Sequence, residues 1–181
     1  MKLFLKILGV LAVLLVVLCL FIASRPDEFK VTRSAVIDAP PTVVFEKVDN
    51  LQNWNSWSPW APLDPDAKYA FSGPEAGVGA TFAWAGNEQV GEGKMTITES
   101  KPLEFVGFHM EFYKPFPGTS ETEFTFRPEG NGTLVTWTMT GRNNFVAKAV
   151  GLFMDCDKIV GTYFEEGLAN LNRVASAQTA N

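Results

Sequence analysis

The sequence predicts an α+β fold behind an N-terminal membrane helix: one strand, two short helices, a run of antiparallel strands and a long C-terminal helix. Three observations carry this. Apolar–polar alternation recurs five times between Ala80 and Thr140, the mark of strands covered on one face only. After Gly141 the apolar spacing becomes helical. Ahead of residue 24 the chain is almost wholly apolar.

That first segment holds 17 residues without a charge, Ile7 to Ala23, or 21 from Leu3 if Lys6 snorkels. As a helix the longer stretch spans about 31 Å, the thickness of a bilayer core. A cleaved signal peptide is the competing reading. Against it, the apolar run exceeds a usual signal core, and Phe21-Ile22-Ala23 lacks a small residue where a peptidase needs one. Val17-Leu18 are too large for a lipoprotein cut before Cys19. An uncleaved anchor over residues 1–24 is the reading taken. Lys2 and Lys6 favour an internal N-terminus and an external domain, in a bacterial inner membrane; Arg25 pulls the other way.

Strand character follows at once, from Phe29 to Asp38. Ala39-Pro40-Pro41 ends it, and Pro41 suits the first turn of a helix over Thr42 to Asp49, with Val44, Phe45 and Val48 on one face. Gln52 to Trp57 reads as a second short helix, stopped by Pro59. Strands then run from Lys68 to Thr140. Phe82 and Trp84 share a face, as do Gly93, Met95 and Ile97. So do Val106, Phe108, Met110 and Phe112, then Phe124 and Phe126, then Val135, Trp137 and Met139. Gly86-Asn87, Lys101-Pro102, Pro117-Gly118 and Gly130-Asn131-Gly132 supply turns. In the last region Val146, Val150, Phe153, Met154, Ile159 and Val160 form an apolar stripe. Gly161 then predicts a kink or restart, with Thr162 and Glu165 as a capping box. The expected domain covers residues 27–176, with a tail over 177–181.

Composition narrows the function. Removing Lys2 and Lys6 from the 15 basic residues leaves 13 against 20 acidic, a formal −7 for the remainder. Such a domain, without a basic cluster, repels phosphates, so no nucleic-acid partner is expected. Cys19 and Cys156 are too differently placed to pair. A single histidine and distant cysteines assemble no metal set, and no cofactor motif is present. Gly77-Val78-Gly79 is too short to argue a phosphate loop.

Four passages resemble the START-like, polyketide-cyclase-like helix-grip superfamily, SRPBCC. They are Ala39-Pro40-Pro41 through Trp54-Asn55-Ser56-Trp57-Ser58-Pro59-Trp60; Gly77-Val78-Gly79 with Gly91-Glu92-Gly93-Lys94-Met95; Gly132 to Trp137; and Gly151-Leu152-Phe153-Met154 with Asp157-Lys158 and Gly167 to Leu171. The resemblance spans about Phe29 to Ala175. It implies a curved sheet of about seven strands gripping the C-terminal helix around an elongated cavity. Members bind lipids, sterols, polyketides or other hydrophobic molecules, and a few are enzymes; activity does not transfer with such a fold.

The candidate ligand-binding residues follow from the sided strands and the last helix. Strands supply Phe82, Trp84, Phe108, Met110, Trp137 and Met139; the helical region supplies Phe153, Met154, Asp157 and Tyr163. Plain core packing competes for each. About 300 Å² of buried ligand surface would give roughly 7 kcal/mol gross at ~25 cal/mol per Å², much of it offset by association costs. Trp54, Trp57 and Trp60 read as a plug between the short helices and the sheet, with a lid over the cavity mouth as the alternative. Arg142 reads as a surface arginine, with a ligand anion anchor as the alternative.

Three functions are carried forward. The leading one is a membrane-anchored binding protein or carrier for a hydrophobic, lipid-like small molecule. A cyclase or dehydratase would use Asp157, Tyr163 or His109 for proton transfer; His109 falls on the polar side of its strand, beside Glu111. A protein-interaction domain with a vestigial cavity is the third. Oligomeric state is not legible.

Overall fold

The computed structural model describes residues 2–179, the side chains from Leu3 on. Helix α1 (Lys2–Ala23) is followed by β1 (Glu28–Ile37), α2 (Pro41–Asp49) and a 3-10 helix (Leu51–Ser56), then a shorter one (Ala61–Leu63). Strands β2 (Lys68–Ser72), β3 (Thr81–Ala85), β4 (Glu92–Lys101), β5 (Phe105–Lys114), β6 (Gly118–Glu129) and β7 (Gly132–Arg142) come next. Helices α3 (Phe145–Val150) and α4 (Cys156–Thr179) complete the chain. The seven strands form one antiparallel sheet in the order β1-β7-β6-β5-β4-β3-β2, as the helix-grip α+β reading requires.

The sheet is sided as the alternation predicts. Val31, Phe108, Phe124, Val135 and Trp137 face inward and are buried. The outer face is polar: Thr32 bonds Thr138 at 3.1 Å, Ser34 bonds Thr136 at 2.8 Å, and Lys94 pairs with Glu111 at 2.5 Å. Register shifts in β4, between Glu92 and Gly93 and between Ile97 and Glu99, bend the sheet.

Helix α4 lies across β1 and buries Phe164, Leu168, Leu171 and Ala175, an i, i+4, i+7, i+11 stripe. Asp155 caps it, its Oδ1 accepting from the Lys158 N–H at 3.1 Å. Farther along, Asn172 Oδ1 accepts from the Asp38 N–H at 2.7 Å, tying the helix to the end of β1.

The break in the C-terminal helical region therefore falls at 151–155, and the expected kink near Gly161 is corrected. Gly161 is buried within α4, where a Cβ would land on the Arg33 guanidinium. Arg33 points inward from β1 and passes beneath the helix; its Nε donates to Glu165 at 2.7 Å. Its other nitrogens reach both Asp157 carboxylate oxygens, at 3.1 and 3.3 Å, and the Asp157 carbonyl at 3.1 Å. The capping box is corrected with it. Thr162 Oγ1 donates to the Lys158 carbonyl at 2.8 Å, and Glu165 is taken by Arg33.

Helix α1 meets the length and apolarity needed to cross a membrane over Leu3–Ala23, with mean hydropathy 3.1. A signal sequence near an N-terminus can meet the same criterion. From Leu3 to Ala23 the side chains of α1 are exposed except Ile22, which is buried at the junction with the rest of the chain.

Candidate functional site: a cavity beside the packed core

The inner face of the sheet is used in two ways. Over β1, β7 and β6 it is filled. Trp137 stacks on Phe164 with centroids 4.0 Å apart and planes 8° apart. Trp54 and Trp57 meet edge to face at 4.5 Å, and both lie against Trp137 and Phe124. Trp57 Nε1 donates to the Lys47 carbonyl at 3.0 Å, which fixes the plug to α2. Trp137 Nε1 has no hydrogen-bond partner among the described residues; it is surrounded by rings, whose faces are weak acceptors.

Toward β2, β3 and β4 the same face leaves space. A cavity of about 290 Å³ lies between those strands and the first turns of α4. Tyr69, Phe82 and Trp84 line it as a ladder, with centroids 5.4 and 6.0 Å apart. Phe112 meets Trp84 edge-on at 6.0 Å. Met95, Met110 and Met139 add flexible thioether walls. Ile159, Val160 and Tyr163 close the helix side, and Trp60 leans on Tyr163 at 5.6 Å.

Besides Tyr69 and Tyr163, the polar lining residues are few: Asn55, the buried Ser58, Gln89 and Lys114. The Ser58 hydroxyl accepts from the Trp60 N–H at 3.3 Å, and Lys114 pairs with Glu92 at 2.8 Å. Burial, with the Asp64 carboxylate second, pushes the Tyr69 phenol above the ordinary tyrosine range, so that phenol stays neutral at physiological pH. An apolar wall with sparse polar groups accommodates a hydrophobic molecule with at most one polar end. A second, more polar depression of about 230 Å³ lies beside β2 against Leu51, Phe71 and Pro74.

The sequence-predicted site residues separate into three groups. Phe82, Trp84, Met110, Met139 and Tyr163 line the cavity. Phe108 and Trp137 share the inner face but are sealed in the filled half. Phe153, Met154 and Asp157 are away from the cavity. Phe153 and Met154 lie in the bend before α4, 90% and 50% exposed, because the helical stripe assumed for them is interrupted there. Asp157 is held by Arg33.

Of the three proton-transfer candidates, only Tyr163 lines the cavity. His109 Nδ1 lies 2.6 Å from Glu121 on the outer face. Arg142 ends β7 and lies 3.7 Å from Asp27, away from the cavity lining. Trp54 and Trp57 form the expected plug, and Trp54 together with Trp60 also lines the cavity. No group of three or more His, Cys, Asp or Glu side chains is arranged to hold a metal among the described residues.

Sequence reasoning missed Tyr69, Met95 and Phe112 as walls. Met95 and Phe112 carried the right signal, sharing faces with named residues, but alternation assigns a face without telling which strands the helix leaves uncovered.

Residues 28–176 match the family model described as polyketide cyclase / dehydrase and lipid transport. No curated protein matches the chain significantly. Among solved structures, protein CV1439 from Chromobacterium violaceum superposes with a TM-score of 0.58 at 16% identity, over 83% of this chain and 98% of that one. The Aha1 dimer from Colwellia psychrerythraea gives 0.59 at 18%, over 81% and 96%. At such identities these likenesses show the fold.

Proposed function

Because the chain belongs to the polyketide cyclase / dehydrase and lipid transport family, we propose that it binds a hydrophobic, lipid-like small molecule in the cavity while anchored in a membrane by α1. The observation that carries the reading is the void of about 290 Å³ between an aromatic ladder and α4. The sequence has ample Phe and Trp to fill it, and does fill the neighbouring half of the same face.

The anchor rests on the length and apolarity of α1 and on its exposed flanks. Lys2 and Lys6 before the span favour a single pass with the domain on the non-cytoplasmic side of a bacterial inner membrane. Residues 27–176 are the binding domain, and Phe82, Trp84, Met110, Met139 and Tyr163 are its ligand contacts.

The test uses the full chain, extracted from cells in polymer-bounded lipid discs. Native mass spectrometry and organic extraction would be run on it beside Val160→Trp, which fills the cavity from the helix side. A defined hydrophobic molecule should accompany the wild type and be lost from the variant, with both proteins equally folded by circular dichroism. Equal retention by both would place the molecule outside the cavity and refute the reading. So would an empty wild type that rejects a panel of lipids, sterols and polyketides.

A further inference from the structure

The strand register gathers four junctions at one end of the sheet. Glu28, where the chain enters from α1, faces Arg142, where it leaves toward α3. Phe112 faces Gly118 beside the β5–β6 hairpin, and Glu92 faces both Lys114 and Ala85 at the β3–β4 turn. The cavity reaches this end: Gln89 and Val90 of that turn, Lys114 and Pro115 of that hairpin, and Ile159 of α4 line it.

Helix α3 is fastened here to the last turn of α1. Lys148 Nζ donates to the Ala23 carbonyl at 3.1 Å and pairs with Asp27. The Asn143 N–H donates to the Asp27 carbonyl at 2.6 Å. A cation on the exposed carbonyls of a helix C-terminus is favourable, and Lys148 is 9% exposed in that position. It is the only charged residue between Phe145 and Met154. With that charge turned to the α1 junction, the segment presents apolar groups to its surroundings. Phe145, Val146 and Phe153 are 49%, 59% and 90% exposed, and Phe116 on the neighbouring hairpin is 74% exposed. Exposed apolar side chains gathered in this way on a water-facing surface mark a contact.

We infer that Phe145–Met154, together with Phe116, lies in the lipid surface around the exit of α1, and that the cavity therefore adjoins the bilayer. The inference rests on the reading that α1 spans a membrane. Once it does, the bond from Lys148 to Ala23 holds α3 at the depth where the span ends. A lipid surface is the occupant that fits, because the segment is continuous with the membrane helix and nearly uncharged. Its binding draws on apolar insertion instead of attraction to anionic headgroups, which the formal −7 beyond the span would oppose.

The test places a fluorophore at single cysteines in the full chain carrying Cys19→Ser and Cys156→Ser, reconstituted in phosphatidylcholine discs. Quenching by spin-labelled phosphatidylcholine would be compared for Leu14→Cys within α1, Phe153→Cys in the patch and Glu104→Cys at the opposite sheet end. Quenching at Leu14→Cys and Phe153→Cys should both exceed Glu104→Cys several-fold, and should not change between low and high salt. Strong quenching at Leu14→Cys with Phe153→Cys no better quenched than Glu104→Cys would overturn the inference and leave the anchor standing. Weak quenching at all three would remove the anchor, and the inference with it. Val146→Cys, scored the same way, guards against a folding fault peculiar to position 153.

Discussion

The two halves of the inner sheet face are built from the same residue types and reach opposite results. Over β1, β7 and β6, aromatic rings from the sheet, the 3-10 helix and α4 interlock until Trp57, Phe124 and Phe164 are each 1% exposed or less. Over β2, β3 and β4, Tyr69, Phe82 and Trp84 stack along one wall, and Trp60 and Tyr163 face them across the cavity without filling it. What differs is the partner. Helix α4 crosses beside β1, and the tryptophan plug fills the middle of the face. The sheet bends away beyond β4, and the described residues that face it there, Ile159, Val160 and Tyr163 of α4 among them, leave the cavity open between. A cavity here is a place where curvature outruns the helix.

This contrast can be broken at its strongest point first. Trp137→Ala removes the ring that Phe164 stacks on and that three tryptophans abut. Denaturant unfolding should show a loss of about 3–5 kcal/mol, the range for a buried aromatic cut to alanine. A loss under about 1 kcal/mol would mean the filled half is not the core.

Met110→Ala, on the hollow side, should cost only about 2 kcal/mol, the bottom of the range for its type, because part of its surroundings is already void. Its larger effect should be on the molecule retained, which mass spectrometry would read as a shift toward bulkier species. If Met110→Ala costs as much as Trp137→Ala and changes nothing retained, the two halves are not distinct.

Gly161→Ala sharpens the comparison where helix meets sheet. In the wild type, the added methyl displaces the Arg33 guanidinium from Asp157 and Glu165, and thermal or chemical unfolding should show about 1 kcal/mol lost. Both carboxylates are more than half exposed, so the ion pairs alone are worth little. In an Arg33→Ala background the same substitution should stabilise, by up to about 1 kcal/mol of helix propensity. The sign change between backgrounds is the measurement; two equal effects would show that Gly161 and Arg33 act independently.

The smallest effect concerns Asp27. Its hydrogen bond to Lys148, and then the Lys148 charge, hold its carboxyl below the usual aspartate range. A group depressed in the folded state contributes stability above its unfolded pKa and loses it as pH falls through the folded one. The protection of amides around residues 24–30, measured relative to their intrinsic exchange at each pH, should therefore fall on acidification below the ordinary aspartate pKa. Asp27→Asn should already be less protected at neutral pH and show little further response.

Much of the fold was legible because strands reveal themselves two residues at a time. Phe108 and Met110, or Val135, Trp137 and Met139, need no distant information to declare a face. Gly161 does. Its meaning lies in Arg33, which is brought beneath it only when β1 becomes the neighbour of α4, so local reading took a packing glycine for a helix break. The Thr162–Glu165 pair failed for the same reason, since Glu165 was claimed by a strand far back in the chain. Of the residues that alternation names, Phe82, Trp84, Met110 and Met139 line the cavity, while Phe108 and Trp137 lie in the filled half. Nothing local says how far along the sheet the helix reaches. Phe153 and Met154 were drawn in by an apolar stripe that assumed one continuous helix through residues 151–155.

Four residues, Ser24 to Asp27, separate α1 from the first strand, and Asp27 is itself pinned to α3. On the proposed reading of α1 as a membrane span, a domain held this closely has no tether with which to cross an aqueous gap. Its search for ligand would be two-dimensional, set by lateral diffusion and surface density instead of by bulk concentration. Any hand-over would require the recipient to come to the same membrane face, making the protein a fixed station on a route and not the vehicle that travels it.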